Sequence, residues 1–408
     1  MRKAIVVGSM IIVLCALYFC IRPFITIGIS NIDISKEEWK EDIVFLRDTL
    51  AEKHPNLYSY ISEEEYLRDF DDLLNDIDRL GSHEIMIHIQ KSLAKINDPH
   101  TYIDYTIHES LPIELYYFDE GLYIIGADSE YKELIGAKII SMETNDIDSV
   151  IQMISGLSPN LNESCVKYYA AQNMINPYVL RYFDSMTGQT VQLKLQTIQG
   201  ETVTKTISVK NKKDIDLVHT SDLIRERPLY LTHDDRHWYT LLDARTLYYQ
   251  DNVMLPNTVG KEVIDAIQEN DIDTLVIDLR KNTGGMYVNQ QKFVKTISKL
   301  QNENKFKIYI LTGRATFSSA ILYIHDFIDH ANCILAGEPP RTGYNHYGDQ
   351  RSFRLPHSKI NIKYASKYLK IHDRCFDEIT PDIVIENHFN AYAEGIDPVL
   401  EYVTINEP

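Results

Sequence analysis

Two apolar runs, each stopping in a polar turn, constrain this chain more than any other feature. The first is Leu275-Val276-Ile277-Asp278-Leu279-Arg280-Lys281-Asn282-Thr283-Gly284-Gly285, and the second is Tyr309-Ile310-Leu311-Thr312-Gly313-Arg314-Ala315-Thr316-Phe317-Ser318-Ser319-Ala320. Short, rich in β-branched residues and uninterrupted, both read as buried strands. In the first turn Gly284 and Gly285 leave backbone N–H groups without side-chain cover. In the second, a hydroxyl stands just ahead of a helical stretch. A hydroxyl beside exposed backbone donors is what acyl transfer requires, because the donors can hold the oxyanion that attack creates.

The surrounding sequence alternates strand and helix. Strands at 246–250, 274–279, 307–312 and 333–337 are separated by helices at 259–269, 289–300 and 318–328, the pattern of a layered α/β core. Upstream, Trp39, Ile43, Leu46 and Leu50, then Tyr66, Phe70, Leu73, Leu74 and Ile77, keep helical spacing on either side of a break at His54-Pro55-Asn56-Leu57-Tyr58. A third helix starts near Ser82 and ends at Asn97-Asp98-Pro99, which delivers His100-Thr101 into a turn. From Leu111 to about Val209 short strands take over. A hairpin is expected around Asp119-Glu120-Gly121, and 191–195 pairs with 203–209 across Gln199-Gly200. The expected organisation is an N-terminal segment at 1–30, a helical cap carrying His100 at 31–104, a β-rich insert at 105–212 and an α/β core at 213–408.

With 408 residues, 44% of them hydrophobic, the chain can bury a large core. Its net charge of -18, with no Lys/Arg cluster, argues against a nucleic-acid partner, since phosphate binding needs a basic face. Arg2 and Lys3 precede an uncharged run from Ala4 to Ile21, about long enough as a helix to cross a bilayer. No small-x-small cleavage site follows it. The expectation is an uncleaved single-pass membrane anchor, with the basic end cytoplasmic and the rest of the chain outside. Cys165, Cys333 and Cys375 are widely spaced and form no CxxC, so neither a disulfide framework nor a structural zinc site is expected. His233 and His237 stand four apart, but without the His-Glu-x-x-His pattern they read as a polar loop.

Taken in order, Asn97-Asp98-Pro99-His100-Thr101, the Asp278 to Gly285 turn, Thr316-Phe317-Ser318-Ser319-Ala320, Gly337-Glu338-Pro339, Thr380-Pro381-Asp382 and Gly395-Ile396-Asp397-Pro398 form a recognisable series. In these motifs the chain resembles the C-terminal-processing (tail-specific) and tricorn-core family of serine peptidases, over about Trp39 to Val403. The resemblance implies an α/β fold: a crotonase-like ββα spiral core, an N-terminal helical cap and a PDZ-like β-rich insert. It also implies hydrolysis of a polypeptide substrate through an acyl-enzyme, with no metal and no cofactor. A catalytically silent binding or scaffold protein on the same fold is the alternative.

By the same resemblance Ser318 matches the nucleophile, and Gly284 or Gly285 with Ser319 would supply the oxyanion donors. Two other readings stay open at this point. Ser319 could attack if the turn is shifted by one residue, and Ser318 could be an ordinary helix N-cap. Tail-specific members draw their base from a lysine after a Gly-Glu-x-Thr turn. Here that segment reads Gly337-Glu338-Pro339-Pro340-Arg341-Thr342-Gly343-Tyr344 and holds none. Arg341 is a poor substitute, because guanidinium stays protonated. Tricorn-like members use an upstream histidine in a turn like that of His100, and imidazole as a group suits general-base work near neutrality. For the acid that orients the imidazole, Asp373, Asp377 and Glu378 lie in the right C-terminal neighbourhood, and Glu378 is assigned the role.

Overall fold

The computed structural model describes residues 27–28, 32–223, 227–255, 259–288, 290–371 and 378–405. Among them a six-stranded sheet organises the C-terminal half. His237–Leu241 lies antiparallel to Thr246–Asp251, and Thr274–Asp278, Lys307–Thr312, Cys333–Gly337 and Ile383–Val384 follow in parallel. Parallel neighbours need crossover connections; helices Val259–Glu269, Gln290–Asn304 and Ser319–His330 lie between them in the chain. Every residue of Thr274–Asp278 is buried, as a strand covered on both faces requires. Leu275 and Ile277 pack toward Val294, Ile321, Ile324 and Phe327. Val276, with Tyr248 and Tyr309, packs instead with Val399 and Val403 of helix Pro398–Ile405.

That C-terminal helix is fastened to the first motif turn by ions. Arg280 holds Asp278 at 2.6 Å and Asp397 at 2.7 Å, both buried, and Tyr248 donates its hydroxyl to Asp278 at 2.7 Å. Asp278 and the Gly-Ile-Asp-Pro motif are therefore fold-holding features, which explains two of the motifs without any chemistry at a substrate.

The N-terminal helices Lys36–Lys53, Glu63–Asp76 and Ser82–Ala94 begin as their sequences dictate. Ser35 and Ser62 accept the amide N–H groups of Glu38 and Glu65 as N-caps. Trp39, Ile43, Leu46, Leu50, Tyr66, Phe70 and Leu73 form one buried cluster with Ile85, Ile89 and Leu93. The cap then receives a visitor from the other end of the chain. The hairpin His346–Arg354 and Asn361–Leu369 pairs antiparallel with Tyr102–Thr106, the strand directly after His100.

Between cap and core a second sheet contains Ile113–Phe118, Gly121–Asp128, Lys138–Met142, Thr190–Gln196 and Thr202–Ser208. Val191 stands opposite Ile207, the expected pairing. Helices Glu163–Asn173 and Pro177–Tyr182 were not expected. They close this part of the molecule, with Val179 and Leu180 packed among Ile139, Leu193 and Leu195. The whole is a mixed α/β fold with several sheets.

The expectation of a single-pass membrane protein is corrected. Among the described residues no helix is long and apolar enough to cross a membrane. The run from Ala4 to Ile21, on which that placement and the membrane contact rested, lies outside them.

Candidate active site

Two tight turns bring the site together. Thr316 ties them to each other: its hydroxyl donates to Leu279 O at 2.8 Å and accepts from the Gly313 amide at 3.0 Å. Asn282, fully buried, does the rest. Its Nδ2 donates to Asp251 O at 2.9 Å, its Oδ1 accepts from the Gly284 amide at 2.9 Å, and its carbonyl accepts from Phe317 N at 3.0 Å. The glycine turn is thus held directly against the serine turn. A Cβ on Gly284 would stand 2.7 Å from Ser318 Cβ, and one on Gly285 would stand 2.4 Å from Met254 O. Both glycines also have positive φ, of 92° and 141°, so only glycine fits either place.

Ser318 occupies the N-cap position of helix Ser319–His330 but makes no side-chain cap hydrogen bond. Its backbone sits at φ 56°, ψ -122°, a sparsely populated conformation for a residue with a Cβ, costing of order 1–3 kcal/mol. The hydroxyl is therefore not spent on capping. It lies 2.9 Å from His100 Nε2, within hydrogen-bond reach. The neighbouring Ser319 hydroxyl instead donates to Gly285 O at 2.7 Å. Of the two serines, Ser318 is the one that meets the imidazole.

The donors expected for an oxyanion are not equivalent. Gly284 commits its amide to Asn282 Oδ1. For the amides of Gly285 and Ser319 no internal acceptor is recorded among the described residues. The latter is the first residue of its helix, where amides have no partner within the helix.

His100 is brought to Ser318 by the turn after the third cap helix. Asn97 takes φ 59° there, and its Oδ1 accepts from Asn160 N at 2.7 Å. The His100 ring stacks on Phe317 with centroids 4.6 Å apart. Asp98 Oδ1 accepts the His100 amide at 2.9 Å and lies 3.6 Å from ring Nδ1, close for charge but long for a hydrogen bond. Asp98 Oδ2 meets His54 Nε2 at 3.2 Å and accepts the Thr101 hydroxyl at 2.5 Å. Burial alone would push the Asp98 carboxyl up; its contacts with His100, His54 and Thr101 outweigh that and hold it well below the usual carboxylate range.

The orienting acid assigned from the sequence is not at the ring. Glu378 accepts from the Thr380 hydroxyl at 3.3 Å and makes no recorded contact with His100, while Asp373 and Asp377 lie outside the described residues. The carboxylate beside His100 is Asp98, two residues upstream in the same turn. That residue stood inside a motif already noted, and its buried partner His54 sat in the helix break. What the sequence could not give was their pairing across 44 positions. His346 was missed altogether. It is buried, its ring lies 6.3 Å from that of His100, and burial pushes its imidazole down to about 4, partly offset by Tyr344 O.

Ser318, His100 and Gly285 line one cavity of about 1180 Å³, which is rich in aromatic rings, among them Tyr102, Tyr105, Tyr168 and Phe317.

No protein-family model matches the sequence, and no curated protein matches it either. Solved structures do. Mature CPAF in complex with lactacystin aligns over 91% of this chain and 97% of its own, with a TM-score of 0.66 and 11% identity. A second structure of mature CPAF gives a TM-score of 0.64, covering 90% and 96% at 11% identity. The photosystem II D1 C-terminal processing protease aligns over 90% of this chain and 99% of its own, at 12% identity and a TM-score of 0.43. The chain therefore shares the fold of mature CPAF.

Proposed function

We propose that this protein is a serine-type peptidase that hydrolyses polypeptides through an acyl-enzyme. The observation that carries the reading is the 2.9 Å contact between His100 Nε2 and a Ser318 hydroxyl held at φ 56° with no cap bond. A serine forced into that backbone and left uncapped is free to attack. His100 accepts the Ser318 proton as Oγ adds to the substrate carbonyl, and returns it to the leaving amine as the tetrahedral intermediate collapses. Water, activated by the same imidazole, then releases the acyl group. The amides of Gly285 and Ser319 hold the oxyanion, a donor being worth about 3 kcal/mol to such a transition state. Asp98 takes the place given to Glu378: its carboxylate lies 3.6 Å from Nδ1, and His54 and Thr101 keep it in position.

The same reading assigns the C-terminal sheet to a crotonase-like ββα spiral core, the helices to a cap and the second sheet to a PDZ-like insert, with divisions near residues 104 and 212. A cavity of about 1180 Å³ suits a stretch of polypeptide rather than a small acyl group. Ser318→Ala, tested on an unfolded polypeptide, is expected to lose on the order of 10⁴-fold or more in kcat with the fold intact. Full retained hydrolysis by that variant would overturn the assignment.

A further inference from the structure

Among the described residues three arginines are buried, Arg280, Arg314 and Arg341, the last only 4% exposed. The first is held by Asp278 and Asp397, and the second by Glu338 at 2.5 Å. Arg341 has no carboxylate partner among the described residues. Its Nη1 donates to Ala315 O at 2.9 Å and, less closely, to Arg314 O at 3.3 Å. The guanidinium lies 4.0 Å from the Tyr168 ring centroid and 4.2 Å from that of Phe317. Among the described residues the buried Nε has no acceptor and Nη2 makes no hydrogen bond.

Ring faces and carbonyl dipoles lessen the cost of burying this cation but leave its charge uncompensated, and buried ions are ordinarily paired. The edge left over, Nε with Nη2, is the fork that a carboxylate occupies through two parallel N–H···O bonds. Arg341 lines the same cavity as Ser318, and Phe317 touches both the guanidinium and the His100 ring. A carboxylate seated on that fork would belong to a chain already lying across the serine.

We infer that Arg341 selects the substrate, by binding a carboxylate of the polypeptide within a few residues of the bond presented to Ser318. This rests on the peptidase reading above and adds the class of substrate. Two sources share the chemistry, an acidic side chain and a free C-terminus. Three peptides of one length separate them: one with an internal Glu and an amidated C-terminus, one with Gln in its place and the same amide, and one with Gln and a free C-terminal carboxylate. Their binding to the full chain carrying Ser318→Ala, followed by fluorescence anisotropy, needs no turnover. At least one carboxylate peptide is expected to bind about tenfold or more tightly than the neutral one, and the tighter of the two identifies the source. Adding Arg341→Met should bring that peptide to the neutral level and move the neutral peptide little. Arg341→Lys keeps the charge, loses the fork, and should retain an intermediate advantage; it supplies the comparison if the Met variant does not fold. Equal binding of all three peptides, or an equal loss for all three on replacing Arg341, overturns the inference. Failure of a fluorophosphonate to label wild-type Ser318 would count instead against the peptidase reading.

Discussion

At the scale of single residues, the account turns on which carboxylate serves His100. Asp98→Asn keeps the shape of the turn and removes the charge beside Nδ1, so kcat is expected to fall on the order of 10²–10⁴-fold. Glu378→Gln should stay within about threefold of wild type; steady-state kinetics on one fluorogenic peptide compares the two. His346 gives a second expectation, in stability. Burial lowers its folded value from 6.5 to about 4, so between those limits the unfolded chain binds more protons and stability rises with pH. Its contribution is fully present above about 6.5 and lost as pH falls through about 4, up to about 3 kcal/mol for a shift of this size. Urea unfolding across that window should show a smaller pH slope in His346→Gln than in wild type; an unchanged slope would contradict the buried neutral ring. The hydroxyl and the imidazole were legible in the sequence because each stands in a motif turn. Asp98 was visible but unassigned, because its role depends on His54, which the chain brings back from the preceding helix break. His346 carried no signal, since it opens a strand that runs into four exposed residues without alternation.

At the scale of elements, the strands at 307–312 and 333–337 and the helix at 259–269 fall where periodicity places them, because fully buried parallel strands leave unbroken apolar runs. The hairpin His346–Arg354 with Asn361–Leu369 was not read, and the reason is physical: its first strand exposes four consecutive residues, so no alternation marks it. The helices Glu163–Asn173 and Pro177–Tyr182 were missed for a similar cause, their apolar residues being interrupted by the half-buried Lys167 and Arg181. The glycine turn was read as a source of backbone donors. Its internal use was not, for Gly284 spends its amide on Asn282. Gly284→Ala tests how tightly the turns are matched. Its new methyl meets Ser318 Cβ and Phe317 O at 2.7 and 2.8 Å on a backbone that disfavours any side chain. It is expected to cost about 1–3 kcal/mol by chemical denaturation and to lower kcat/KM by on the order of a hundredfold. A variant with wild-type stability and activity would show that the turns have room the geometry denies.

At the scale of the whole molecule, residues far apart in sequence converge on one cavity, and the ion cluster of Asp278, Arg280 and Asp397 holds the last helix to the six-stranded sheet. Arg280→Met leaves two buried carboxylates without their cation and is expected to destabilise the fold by about 3–5 kcal/mol, read as a shift in the urea midpoint. A loss below about 1 kcal/mol would mean that the cluster is dispensable. The alternation of strand and helix made the core's architecture readable, while the closure of the cap by a C-terminal hairpin depended on contacts spanning some 260 positions, as between Ile103 and Ile362. The central claim is that this closure makes Ser318 a nucleophile. Its most direct measurement is mass-spectrometric mapping of a fluorophosphonate adduct on the folded wild-type chain and on His100→Ala. The adduct is expected on Ser318 in wild type and strongly diminished in the variant. An adduct on Ser319, labelling indifferent to His100, or no adduct at all on the folded protein would contradict it.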